Sequence, residues 1–260
     1  MTIYETYLTE LQKHKKARLK SVGLSAAGQN VYSLVYGKSP KILVVGGVHA
    51  REYISTFVCL DLFFDCDGVE ILPMANPDGV RISDEGFSFI DTVRDKISDD
   101  VYSLMKRSDL KMWKANLNAV DINVNFDARW GEGSQNKRYI SPSDYIGKMP
   151  FSEPETRIIR SLLLDKKTVI CYHSKGEEIY YGFHNDVGKE LALSLAKVTG
   201  YEAKRADDSA GGVKDYFIYK GMGVGITVEL GSDGLSHPIG LEHKDNIVKK
   251  NIGIRQILNV

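Results

Sequence analysis

The stretch Lys41–Cys59, KILVVGGVHAREYISTFVC, constrains this chain more than any other. Ile42, Leu43, Val44 and Val45 form a β-branched and aliphatic run that stops at Gly46-Gly47. A strand covered on both faces reads this way, because neither face needs polar residues. Such a strand delivers a loop at its carboxyl end, the ligand-facing edge of an open α/β sheet. His49 and Glu52 sit on that loop, and an apolar helical segment, Ile54–Phe64, follows. An imidazole and a carboxylate suit Zn²⁺; a catalytic zinc takes a third protein ligand and keeps one position open.

The rest of the chain supplies partners for that strand. Tyr4, Tyr7, Leu8, Leu11 and Leu19 predict an amphipathic helix over Tyr4–Leu19. Val31–Tyr36 alternates as a strand, and Val69–Pro73 is a second buried strand running into Asn76-Pro77-Asp78-Gly79, a turn signature. Charged helical spacing covers Asp91–Leu110, and Asn116–Phe126 reads as a short strand or extended loop. Gly131–Pro150 is a Gly/Ser/Pro-rich loop, long enough to suggest a role at a cleft through Lys137, Arg138 and Tyr139. Ser152 and Glu155 have the spacing of a capping box for a helix over Ser152–Leu164. Thr168–Tyr172 and Gly225–Leu230 are further strands, with helices at Val187–Thr199, Asp215–Lys220 and Asn246–Leu258. This alternation predicts an α/β fold: one domain over residues 1–260, with a central mixed, mostly parallel twisted sheet flanked by helices.

Charge excludes some functions. Lys+Arg and Asp+Glu both number 34, so no net field draws the chain to nucleic acid or an anionic membrane. No apolar run approaches the roughly 18–20 residues that span a bilayer. Cys59, Cys66 and Cys171 are an odd number in apolar settings, which predicts buried thiols and favours a cytoplasmic location.

Two distant residues complete the chemistry begun at His49. His173 ends the strand Thr168–Tyr172, and Glu229 lies at the end of Gly225–Leu230. Both are expected at the sheet edge that carries His49 and Glu52. Two imidazoles, one coordinating carboxylate and one free carboxylate are the inventory of a hydrolytic zinc site, with Glu229 as proton acceptor. His14, His184, His237 and His243 have no such placement and read as surface residues. Trp113, Trp130, Tyr180 and Tyr181 read as core aromatics.

The succession GGVHARE, NPDG, VDINVNF, FSEPET, YHSKGEE and GITVELG resembles the zinc carboxypeptidase family over nearly the whole chain. The resemblance implies one zinc held by His49, Glu52 and His173, and a general base at Glu229. It implies a carbonyl-polarising or substrate-contacting arginine at Arg51 and a carboxylate-clamp asparagine at Asn123. Lys114 is the counterpart by position of the family's oxyanion arginine. Val124 stands where digestive-type members place a second clamp arginine, and valine has no donor for a carboxylate. WKANLNAVDIN, HSKGEEIYY and GGVKDYFIYKG resemble the bacterial γ-D-glutamyl–meso-diaminopimelate peptidases, which cut peptidoglycan stem peptides. Asn118 and Ala119 depart from an Arg-containing segment of that branch, and Lys175 is a cation beside a zinc ligand. A peptide or muropeptide substrate follows, with Lys214 facing its carboxylate and Asp215 its ammonium, or Asp215 capping the next helix. Two rival readings are a zinc amidohydrolase acting on small N-acyl amino acids and a non-catalytic muropeptide-binding module.

Overall fold

Eight strands form one sheet: β1 (Arg18–Leu24), β2 (Asn30–Val35), β3 (Ile42–Val45), β4 (Val69–Leu72), β5 (Thr168–Ser174), β6 (Glu178–Tyr181), β7 (Glu202–Arg205) and β8 (Val224–Leu230). The computed structural model describes residues 1–260. Spatial order is β1-β2-β4-β3-β5-β8-β6-β7. The central pairs β4/β3, β3/β5 and β5/β8 are parallel, as is the edge pair β6/β7; β1/β2, β2/β4 and β6/β8 are antiparallel.

Strand periodicity divides the core into two layers. Val44, Ile71, Ile170, Tyr172, Ile226 and Val228 face one layer, beneath helices Ile3–Leu11, Ile54–Leu62, Lys189–Thr199 and Lys244–Asn251. Leu43, Val45, Leu72, Val169 and Cys171 face the other, beneath helices Pro154–Leu163 and Val213–Tyr219. Burying each such aliphatic side chain contributes about 1.5–3 kcal/mol. Trp113, Phe89, Ile97 and Val101 build a third cluster beside the sheet. All three cysteines are buried free thiols. No helix is long and apolar enough to cross a membrane.

Several sequence expectations are corrected. The first helix ends at Leu11, and Leu19 lies on edge strand β1, 39% exposed. An edge strand needs little apolar surface, so β1 and the polar β7 (EAKR) lack a strong pattern, and β6 is equally short. NPDG opens a helix: Asn76 Oδ1 accepts the Gly79 N–H at 3.0 Å, and Pro77 occupies the first turn, where its missing N–H costs nothing. Asp91–Leu110 is broken into a 3-10 segment, Asp91–Lys96, and a helix, Asp99–Met105. Asn116–Phe126 is irregular around a 3-10 turn, Ile122–Val124. Two helices, Lys244–Asn251 and Ile254–Leu258, replace the single one expected at the end of the chain.

Ser152 does not cap its helix; the N-cap is Glu153, and Glu155 is turned inward. Its carboxyl group accepts the Ala26 N–H at 3.0 Å and Asn116 Nδ2 at 3.0 Å. Burial, then repulsion from Asp78, pushes Glu155 up to about 8 from its ordinary 4.5. A raised carboxyl favours the fold fully below 4.5 and loses that contribution as pH rises toward 8. Thermal melts across that window should show stability falling by at most about 1.4 kcal/mol per pH unit from this group. The variant Glu155→Gln should flatten the slope. Parallel declines in wild type and variant would mean that Glu155 is already ionised in the fold.

Candidate active site

The His49 loop is shaped by backbone crowding. Gly47 adopts φ +56°, and a Cβ there would lie 2.7 Å from Thr56 Oγ1. At Gly46 a Cβ would lie 2.9 Å from the Pro73 carbonyl oxygen. The chain then turns through a 3-10 segment, Ala50–Glu52, whose Ala50 and Arg51 N–H groups donate to the Lys114 and Trp113 carbonyls at 3.1 Å each. Asn76 Nδ2 donates to the Val48 carbonyl at 3.1 Å. Thus the buried Trp113 segment and the NPDG helix start both grip the loop that carries His49 and Glu52.

His173 arrives from β5 and Glu229 from β8, directly paired in the β5/β8 register. In-register neighbours on parallel strands share a face about 4.8 Å apart. Three donor atoms converge: His49 Nδ1 is 2.9 Å and His173 Nδ1 3.2 Å from Glu52 Oε2, and the two nitrogens are 3.0 Å apart. Neutral imidazoles have no reason to aim lone pairs at one another and at a carboxylate. A proton or a metal cation between them resolves the conflict, so the buried trio fits one metal ion.

Charge around the trio is arranged in series. Burial opposes protonation of His49, but Glu52 and then Asp121 outweigh it and hold the imidazole up at about 9. Burial also opposes ionisation of Glu52, yet the two histidines hold it well below its ordinary range. His173 is pushed down by burial, then by the His49 charge. Glu229 is half-buried and opens into a cavity; in the metal-free protein desolvation, then Glu52, pushes it up to about 8, against the His49 and Lys114 charges.

Asp121 is the residue that sequence reasoning missed. Fully buried, it lies with Oδ1 3.3 Å from His49 Nε2, in range for charge pairing though off the hydrogen-bond direction. Such a carboxylate behind a metal-binding histidine sets its tautomer and orientation. Its one sequence signal is its place two residues before Asn123 in VDIN.

The remaining expected residues distribute unevenly. Lys114 Nζ is held by Asp121 and Asp144, both at 2.8 Å, so it supports His49 from behind, correcting its expected oxyanion role. Arg51 is half-buried on the His49 turn; Nη1 donates to the Met112 carbonyl at 3.2 Å, while Nε has no partner. Asn123, Lys214, Asp215 and Glu229 all line one cavity of about 420 Å³. Asn123 Oδ1 accepts the Val213 N–H at 3.2 Å. Lys214 and Asp215 are both buried and bonded to each other at 2.6 Å. Asp215 also accepts Ser209 Oγ at 3.0 Å and, from the third helical position, the N–H of the N-cap Gly212 at 3.2 Å, so its oxygens are engaged within the chain.

Lys175 is turned outward onto the Asp233 backbone carbonyl. His14 is buried, its Nδ1 2.6 Å from Tyr36 Oη, and His237 is half-buried with an unpartnered Nδ1, so neither is the surface residue expected. Trp113 and Tyr181 belong to the core, whereas Tyr180 lines the cavity.

A profile of the zinc carboxypeptidase family matches residues 68–246. This chain belongs to that family. The buried trio of His49, Glu52 and His173 could hold one metal ion, as a zinc carboxypeptidase family member requires. The chain is 28% identical over 261 residues to gamma-D-glutamyl-L-diamino acid endopeptidase 1 of Lysinibacillus sphaericus, covering 90% of this chain and 65% of that protein. It is 28% identical over 247 residues to carboxypeptidase B of Rattus norvegicus, covering 82% of this chain and 58% of that protein. The chain therefore spans less than two thirds of either relative. Bovine thrombin-activatable fibrinolysis inhibitor, solved in complex with tick carboxypeptidase inhibitor, shares the fold. The match has a TM-score of 0.76 and 18% identity, covering 99% of this chain and 94% of that one.

Proposed function

We propose that this chain hydrolyses the bond between a γ-D-glutamyl residue and a diamino acid in peptidoglycan stem peptides. His49, Glu52 and His173 would hold the zinc, which when bound lowers the pKa of water and polarises the scissile carbonyl. Glu229, opening into the cavity beside the trio, takes a proton from the attacking water and returns it to the leaving amine. Asp121, backed by Lys114, keeps His49 in its coordinating tautomer. Arg51 is the nearby candidate to stabilise charge on the carbonyl oxygen.

The charge left over in the cavity carries the substrate reading. Arg205 is met by Asp207 at 2.8 Å and Lys214 by Asp215 at 2.6 Å. Asp208 also lines the cavity and has no cationic partner. A polar cavity in which Asp208 stands uncompensated, besides the base Glu229, suits a substrate residue ending in an ammonium, as a diamino acid does. Val124, without a donor, leaves the usual arginine clamp for a terminal carboxylate incomplete. The activity named for the Lysinibacillus sphaericus relative points the same way.

Mass spectrometry of a defined muropeptide set, run beside ordinary L-peptide carboxypeptidase substrates, tests the proposal. Release of a diamino-acid product is expected; cleavage of the L-peptides alone would overturn it. The variant Asp208→Asn should raise KM for the diamino-acid substrate by about 10–100-fold with zinc content unchanged, the loss of one charge-assisted contact. An unchanged KM would remove Asp208 from recognition.

A further inference from the structure

We propose that a second site, at the opposite end of the sheet from the metal trio, binds a phosphate-bearing anion. The site is a cavity of about 270 Å³ under the β1/β2 hairpin, closed by the turn before β3 and the end of helix Pro154–Leu163. β3 separates the two sites by four residues, roughly 13 Å of strand. The two sites therefore share no residue.

Its lining is unusual in how its cations are left. Arg18 and Lys20, two apart on β1, share one face of the strand, and Lys38 comes from the turn. None of the three has a carboxylate within salt-bridge distance, although most basic side chains around the catalytic cavity do. Beneath them Lys166, 8% exposed, is bonded to Glu70 at 2.8 Å, and Ser33 Oγ donates to the other oxygen of Glu70 at 2.8 Å. This buried pair neutralises itself and fixes the floor, leaving the charge above it uncompensated.

Against the three free cations stand Asp165 on the rim and the carboxyl end of the helix, worth about half a negative charge. The balance is an excess of more than one positive charge in a concave space. A phosphoryl group matches it better than a single carboxylate does. Arg18 can engage two oxygens in a fork, the two lysines act as mobile point charges, and the Ser39 hydroxyl on the lining adds a neutral donor. Two sources share that chemistry, a small free oligophosphate and the backbone of a phosphate polymer.

Isothermal titration of the zinc-loaded full chain with inorganic pyrophosphate and, separately, with long-chain polyphosphate tests the site. Wild-type protein should bind at least one probe. The variant carrying Arg18→Ala, Lys20→Ala and Lys38→Ala together should bind it about tenfold or more weakly, with an unchanged melting temperature and zinc content. Binding of pyrophosphate identifies the small anion as sufficient, and binding of polyphosphate alone identifies a polymer as the occupant; both support the site. Absence of binding to either, or equal binding by the triple variant, would overturn it. These three side chains lie on exposed or half-buried positions, so their loss leaves the core intact.

Discussion

Glu229→Gln leaves the fold and the zinc content unchanged and lowers turnover by about 10²–10⁴-fold, the range spanned by loss of one positioned acid–base group. Glutamine keeps the size and the hydrogen-bonding oxygen of glutamate but cannot accept a proton. Glu229 is placed to act this way because the β5/β8 register sets it beside His173 while its carboxylate borders the open cavity. In the metal-free protein burial and Glu52 raise it to about 8; a dication at the trio attracts negative charge and brings the carboxyl down, toward the poise that proton transfer needs. A second consequence concerns stability. In metal-free protein a carboxyl raised from 4.5 to about 8 loses its favourable contribution across that window, so the glutamine variant should melt no lower than wild type at neutral pH. Turnover within a few-fold of wild type would move the base elsewhere. Zinc lost from the variant, measured by atomic absorption, would make Glu229 a ligand.

What the sequence exposes and what it hides follow from how local each constraint is. Ile42–Val45 had to be a buried central strand, because four consecutive apolar residues ended by two glycines admit few other placements. The ends of β5 and β8 were equally legible, since an apolar run terminated by His173 or Glu229 marks both the strand and the exit point of its functional side chain. Asp121 was not legible: its partners His49 and Lys114 come from other elements, and nothing in VDIN distinguishes a carboxylate behind a histidine from an ordinary turn cap. It performs both roles, accepting the Asn123 N–H at 3.0 Å as well. Lys214 and Asp215 show the converse. Their charges suggested two substrate contacts, but adjacent residues on one helix start can satisfy each other, and here they do. Edge strands β1 and β7 escaped because hydrogen bonding to a single neighbour asks little of their side chains.

Through His49 alone, zinc affinity should fall about tenfold for each pH unit below about 9, reaching a loss of about a thousandfold near pH 6. The sign comes from His49. In the metal-free protein its imidazole is raised from 6.5 to about 9, so it favours the fold fully below 6.5 and loses that contribution as pH rises through 9. A cation needs the same nitrogen deprotonated and must displace that proton. Glu52 is already ionised, held far below its ordinary range by the two histidines, and His173 is already inclined to be neutral. Below about pH 8 Glu229 gives up a proton as the dication brings it down; from the ligands themselves one proton per zinc is released, not two or three. Titration in buffers of different ionisation enthalpy counts that proton directly, and chelator competition across the pH range gives the slope. Asp121→Asn should bring the onset to lower pH, because it removes part of the charge holding the His49 proton. It should also weaken zinc on the high-pH plateau by about 10–100-fold, as the imidazole loses its orienting partner. A flat affinity between about pH 6 and 9 would mean that His49 is neutral before the metal arrives, and the convergence of its Nδ1 on Glu52 and His173 would then need another explanation.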